Sequence, residues 1–168
     1  MQFAKDSVYV AFRDRLASVN PERVIVIDGL SRPAVVVAEN QSVSLESGAT
    51  VIRNAFELRW GAAEVVRQAR VSGRPLMQLE LQISYSVTGV SSTGNDRGRT
   101  LGAMDMELLQ MCTPRRTTKQ DYTQATPVPL GSMVFWSDPQ LSEVKDEAGV
   151  LKRSALLAVF YFPEGEVA

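Results

Sequence analysis

The chain has 168 residues, of which 45% are hydrophobic and 22% charged, and 18 basic against 19 acidic side chains leave a net charge of −1. That composition fits one globular domain over residues 1–168, large enough to bury a core without staples, and the charge balance argues against a dedicated nucleic-acid-binding module. There is no histidine and a single cysteine, Cys112, which excludes Ser-His-Asp and Cys-His catalysis, an intramolecular disulfide and a cysteine-cluster zinc site.

The first residues lack the charged start and apolar run of a signal peptide, and the longest apolar run, 155–162, is too short to span a bilayer. The expectation is a chain made in the cytoplasm with no membrane partner. Ser7 is placed to cap a first helix whose inner face carries Val8, Phe12, Leu16 and Val19, with Arg13, Asp14 and Arg15 towards water. Asn20-Pro21 ends it, because the residue before proline is pushed out of the helical region.

Residues 23–27 then meet Asp28-Gly29, a pair whose backbone suits a tight hairpin, and the chain returns through 30–38. Val24, Ile25, Val26 and Ile27, and then Val35, Val36 and Val37, are apolar on both faces. Burying one such side chain is worth about 1.5–3 kcal/mol, so either the domain covers both faces or another subunit does. Pro33 removes a backbone donor and suits an edge.

The polar residues of 39–50 read as a long mobile loop or arm. A strand is predicted over 51–60, with Phe56, Leu58 and Trp60 alternating against Glu57 and Arg59. Residues 62–70 fit a short helix lined by Ala63, Val66 and Ala69, or an extended segment, the helix being preferred.

The cleanest periodicities follow. Met77, Leu79, Leu81, Ile83, Tyr85 and Val87 alternate with polar residues as in a half-buried strand. After a turn at 89–96, Leu101, Met104, Leu108 and Met111 recur at helical spacing, and Thr113-Pro114 supplies the stop. Cys112, beside Met111, reads as a small buried hydrophobe.

Residues 113–131 show no apolar period and read as an irregular extended connection. A strand over 132–137 is broken by Asp138-Pro139, a charged surface loop occupies 143–149, and 154–162 form a last strand apolar on both faces, as in a central strand or a subunit contact. The sum is an α+β domain: a mixed or antiparallel sheet of about four to five strands, an N-terminal and a central helix packed on it, a β-hairpin and extended loops.

No phosphate-loop, dinucleotide, zinc-protease or nucleophile-elbow motif occurs, so no catalytic, cofactor or metal site is predicted. Residues 94–99 place Arg97 and Arg99 at a helix start, where anions bind, but Asn95 or Asp96 as turn and cap residues explains the pattern more simply. Asp105 and Glu107 point in different directions on their helix, and Glu80 sits on the polar face of its strand. Three basic groups, Arg67/Arg70/Arg74, Arg97/Arg99 and Arg115/Arg116/Lys119, are not interleaved with aromatics for base stacking. Solvated loops or inter-subunit ion pairs account for them, and any DNA contact would be transient and through the backbone.

The order of elements, a starting helix, an Asp-Gly hairpin, a long strand, a Gly-Arg turn into a helix and two closing strands, resembles the tail terminator (tail completion) proteins of long-tailed phages. The stretches that carry it are 9–16 followed by Asn20-Pro21-Glu22-Arg23, residues 32–39, residues 57–60, and 81–85 leading to Arg97-Gly98-Arg99 and its helix, spread along the chain from the first helix to the second. The resemblance implies a structural virion protein, not an enzyme and without a cofactor, that forms a homo-hexameric ring on the tail tube in the tail or neck. Its partners would be its own copies, the tail tube protein, a head-completion or connector protein, and DNA in transient passage. A ring subunit needs apolar or β-edge contacts, for which Val24, Val26, Val35, Val37, Trp60, Phe160 and Phe162 are the candidates. Arg97, Arg99, Arg115 and Arg116 are candidates for channel or inter-subunit polar contacts. The segments 39–50 and 113–131 exceed what a minimal terminator needs, leaving another neck or head-completion role open. A nucleic-acid-binding accessory protein is the further alternative, and a small enzyme the last.

Overall fold

A computed structural model describes residues 1–40, 53–67, 74–89, 91, 93 and 95–163. Helix α1 (Gln2–Val19) is followed by β1 (Val24–Ile27), β2 (Leu30–Pro33), β3 (Val35–Val37) and a short 3-10 turn, then the long strands β4 (Phe56–Arg67) and β5 (Leu76–Val87). Helix α2 (Arg97–Met111) leads into β6 (Arg116–Asp121), β7 (Val128–Trp136), the short β8 (Gln140–Leu141) and β9 (Lys145–Glu147), and β10 (Val150–Tyr161). The fold is α+β. Among the described residues, no helix is long and apolar enough to cross a membrane.

β1 and β2 form a two-stranded sheet of their own, and the other strands make a curled sheet in the order β3-β4-β5-β10-β7-β6. Among the described residues, only the β3–β4 pairing is parallel. β5 and β10 pair antiparallel over nearly their whole length, from Leu151↔Val87 to Tyr161↔Met77. The far edge of β10 is shared end to end by β7, β8 and β9. Asp138-Pro139 breaks that broken partner strand between β7 and β8, since proline cannot donate to a ladder.

The alternation read in 77–88 holds: Leu79, Leu81, Ile83, Tyr85 and Val87 are buried, Glu80 and Gln82 exposed. α2 buries Leu101, Met104, Leu108 and Met111, as its spacing requires. α1 buries Ala4, Val8, Phe12 and Leu16 and ends at Val19, ahead of Asn20-Pro21. These side chains join one continuous core with β3, β4, β5, β7 and β10. Trp136 is its hinge point: Phe12 meets it edge-on at 5.2 Å, and its Nε1 donates to the Cys112 carbonyl at 2.8 Å.

The sheet is larger than the about four to five strands expected from periodicity. Residues 62–67 continue β4 instead of forming a helix, while 68–70 lie outside the described residues. Twelve residues of β5 offer a ladder that β4 follows with two irregularities, between Trp60 and Ala63 and between Val65 and Arg67. Gly61 sits at the first, where an added Cβ would meet the Glu80 carboxylate at 2.9 Å. The 113–131 connection contains β6 and the start of β7, and the charged 143–149 loop contains β9. β6 escapes a periodicity search because its partners are α1 and β7 and its composition is polar throughout.

Two further expectations are corrected. Ser7 is not a cap: it is buried inside α1, donates to the Phe3 carbonyl at 2.6 Å and accepts the Gln120 N–H of β6 at 3.0 Å. Arg15 does not face water. Its guanidinium lies 5.1 Å from the Trp136 ring centroid and donates to the carbonyls of Met111 (3.2 Å), Pro114 (2.6 Å) and Arg116 (2.8 Å). A planar five-donor fork is what three diverging carbonyls require. Arg15→Ala is therefore expected to lower the unfolding free energy by about 2–4 kcal/mol, and Arg15→Lys to recover less than half of it, measured by urea denaturation.

Candidate functional site

The hairpin is built by sequence and anchored at its base. Asp28 (φ 51°) and Gly29 (φ 75°) make the two-residue turn that sets the register Ile27↔Leu30 and Val24↔Pro33. The Ala34 N–H donates to the Arg23 carbonyl at 3.0 Å, and the Phe56 N–H to the Ala34 carbonyl at 2.8 Å, so the hairpin grows from the start of β3. Arg23 also forks onto Glu107 of α2, which accepts Asn20 Nδ2 at 2.8 Å as well. This nearly buried ion pair fixes where the hairpin leaves the body.

Beyond that base the hairpin is bare. Ile25 packs on the core, but Val24 is 49% exposed, Val26 67% and Leu30 58%. A second apolar exposure lies at the far end of β4, where residues 61–66 are all exposed and Val65 and Val66 are each 49% accessible. β3 pairs with β4 only at 56–58, which leaves the outer edge of β4 unpaired from Arg59 onward among the described residues. Local sequence does not single out Val65 and Val66 as exposed, because Ala63, Val66 and Ala69 also fit the spacing of a short helix. The signal that identifies them is the length of β5, since a twelve-residue strand needs an equally long neighbour.

The other edge of the sheet is closed. α1 lies along β6, and Ser7 and Arg15 take up the Gln120 N–H and the Arg116 carbonyl. Covering an edge with a helix is a standard way of denying it to other chains.

The candidate contact residues divide accordingly. Val24, Val26 and Phe162 are exposed, and Phe160 is half-buried opposite the exposed Phe135 on the outer sheet face. Val35, Val37 and Trp60 differ from that group: they are buried in their own chain, with at most 8% of their surface exposed. β3 is sandwiched between α1 and β4, and Lys5 of α1 covers the Trp60 ring at 5.6 Å while pairing with Glu39 at 3.3 Å.

The arginines do not converge. Arg97 and Arg99 start α2 and Arg115 and Arg116 follow its end, about 20 Å apart along the helix axis. Arg97 pairs with Asp146 at 3.1 Å and Arg115 with Asp138. Lys119 leaves the basic group altogether: it is buried and donates to the carbonyls of Phe162 (2.8 Å) and Pro163 (3.4 Å). Arg70 and Gly94 lie outside the described residues. The Asp96 carboxylate accepts Ser91 Oγ at 2.7 Å and Ser91 N–H at 3.1 Å, a turn-stabilising role rather than an anion cradle. No continuous basic track follows from these positions.

Asp105 and Glu107 serve separate pairs. Asp105 accepts Tyr85 Oη at 2.5 Å and Arg153 at 2.7 Å, which joins α2 to β5 and β10. Burial and the Asp105 carboxylate both push the Tyr85 phenol well above its ordinary range.

A polar cleft of about 300 Å³ opens on the outer face between β4, β5, β10 and the β8–β9 segment. Ser86 lines it, buried, its hydroxyl without a hydrogen-bond partner among the described residues, directly across the ladder from Lys152. Lys152, however, is engaged by Glu147, whose carboxyl that contact holds below its ordinary range. No base therefore touches the Ser86 hydroxyl. Among the described residues no group of three or more acidic or cysteine side chains is placed to hold a metal.

Comparison with known proteins adds no assignment: no protein-family model matches the chain, and no curated protein matches it significantly.

Cys112 is buried, and that burial, opposed by Arg15 and reinforced by Asp138, pushes its thiol up to about 12 from an ordinary 9.0. A group whose folded pKa is raised stabilises the fold fully below its unfolded pKa, and that contribution is lost as pH rises through the folded value. Stability should thus fall between about pH 9 and 12 by up to about 1.4 kcal/mol per pH unit from this thiol, with Cys112→Ala showing a shallower decline in urea titrations. A thiol reagent at pH 8 should label the native protein far more slowly than the urea-unfolded chain.

Proposed function

We propose that this chain is a ring-forming structural subunit of a phage tail or neck, a tail terminator that caps the tail tube, ends its polymerisation and forms the head-tail joint. The observation that carries the reading is the β1–β2 hairpin, which stands outside the main sheet with Val24, Val26 and Leu30 bare. A two-stranded sheet is marginal in water and exposed apolar side chains of this kind mark a contact surface. The resemblance in element order supplies the identity of the contact, since terminator subunits assemble with their own copies. A net charge of −1 and scattered, partly paired arginines suit a conduit that DNA passes without being held. Partners on this reading are other copies, the tail tube protein and a head-completion protein, and the site of action is the virion neck.

A second reading, a neck or head-completion connector, rests on the same bare hairpin and differs in which component it meets. Negative-stain imaging and native mass spectrometry, with and without purified tail tubes, separate the two. The terminator should form closed rings that seat on one end of the tube and halt its growth. Rings that bind only the head vertex support the connector. A protein that stays monomeric at high concentration and is absent from the neck contradicts both.

A further inference from the structure

We infer that the subunits join head to tail, with the β1–β2 hairpin of one copy adding to the open outer edge of β4 in the next. The inference rests on the ring reading above and names the two surfaces that make the joint. They are unlike and lie apart. The hairpin springs from the start of β3, level with Phe56, whereas Val65 and Val66 lie nine and ten residues further along β4, about 30 Å away in an extended chain. A contact between two different surfaces at opposite ends of a subunit is heterologous, and heterologous contacts propagate, closing into a ring when their rotation closes, where self-complementary ones stop at dimers.

Each surface needs what the other has. The hairpin is a two-stranded sheet with a bare apolar face, and β4 presents backbone groups from Arg59 onward that are unpaired among the described residues and flanked by Val65 and Val66. Strand addition satisfies the backbone while the valines bury one another. Charge agrees: Arg32 on the hairpin and Glu64 on β4 are both exposed, and neither is in an ion pair among the described residues. Pairing β4 with β4 would instead bring the two Glu64 carboxylates into the same contact. Pairing β4 with β6 is closed off, because α1 already occupies the β6 edge through Ser7 and Arg15.

Mixing full-length variants tests this. Val26→Asp damages the hairpin and leaves β4 intact, and Val66→Asp does the reverse; both positions are exposed, and thermal melts check that each variant folds. Native mass spectrometry should show each variant alone as a monomer and an equimolar mixture as a dimer containing one of each. One sound hairpin then meets one sound edge and the chain cannot extend. Charge reversal is the independent arm: Arg32→Glu or Glu64→Arg alone should weaken assembly at least tenfold, and the double variant should restore most of it. If Val66→Asp dissociates the assembly while Val26→Asp assembles like the unmodified protein, the edges pair with each other and the inference is wrong. Rings that persist in both aspartate variants overturn the joint and leave the ring reading standing. An unmodified protein that is monomeric at every concentration removes both.

Discussion

The fold depends on how α1 deals with backbone groups that its own packing takes away from water. Its apolar stripe, Ala4, Val8, Phe12 and Leu16, presses onto the sheet, and this traps the edge of β6 and the turn after α2 beneath a helix. Each buried carbonyl or N–H left unpaired there would cost about 1–3 kcal/mol. Ser7 and Arg15, set eight residues apart on the same side of α1, meet that demand, one taking the Gln120 N–H and the other three carbonyls. Trp136 completes the arrangement by stacking under Arg15 and donating to Cys112, so the end of α2, the start of β6 and the end of β7 are held by a single cluster.

That solution makes the sheet asymmetric. One edge is sealed by a helix and its polar side chains, whereas among the described residues the other is covered where β3 reaches and the outer half of β4 has no strand partner on that side. The charged residues follow the same division of labour. Glu107 with Arg23 and Asn20, and Asp105 with Tyr85 and Arg153, tie α2 to the elements around it and fix the base of the hairpin. Exposed apolar side chains gather on the hairpin (Val24, Val26, Leu30) and at the far end of β4 (Val65, Val66), while others are scattered over α2, β7 and β10. A rigid body with two bare β surfaces is the physical content of the proposed ring subunit.

Some of this was legible in the residues. The alternation of 77–88 and the four-residue stepping of α2 needed no tertiary information, because one face of each meets the core and the period is set by backbone geometry. Asp28-Gly29 announced its turn for the same reason, a backbone requirement that few residue pairs satisfy. β6 was not legible, since a polar strand under a helix has no apolar period, and neither was the strand character of 62–67, which β5 imposes against an alanine-rich composition. Nor did the local pattern of Arg13, Asp14 and Arg15 distinguish a solvated face from a guanidinium that reaches three carbonyls about 100 residues away in sequence.

By itself, then, the amino-acid sequence determined an α+β chain with an N-terminal and a central helix, a tight hairpin and a long central strand, and it ruled out histidine chemistry and an intramolecular disulfide. Tertiary structure alone decided which apolar residues are core and which are surface. Val35, Val36 and Val37 look the same as Val24 and Val26 in any hydropathy pattern, yet the first three lie between α1 and β4 and the last two stand in water. The reason is that burial belongs to a pair of surfaces, and a one-dimensional pattern records only one member of each pair.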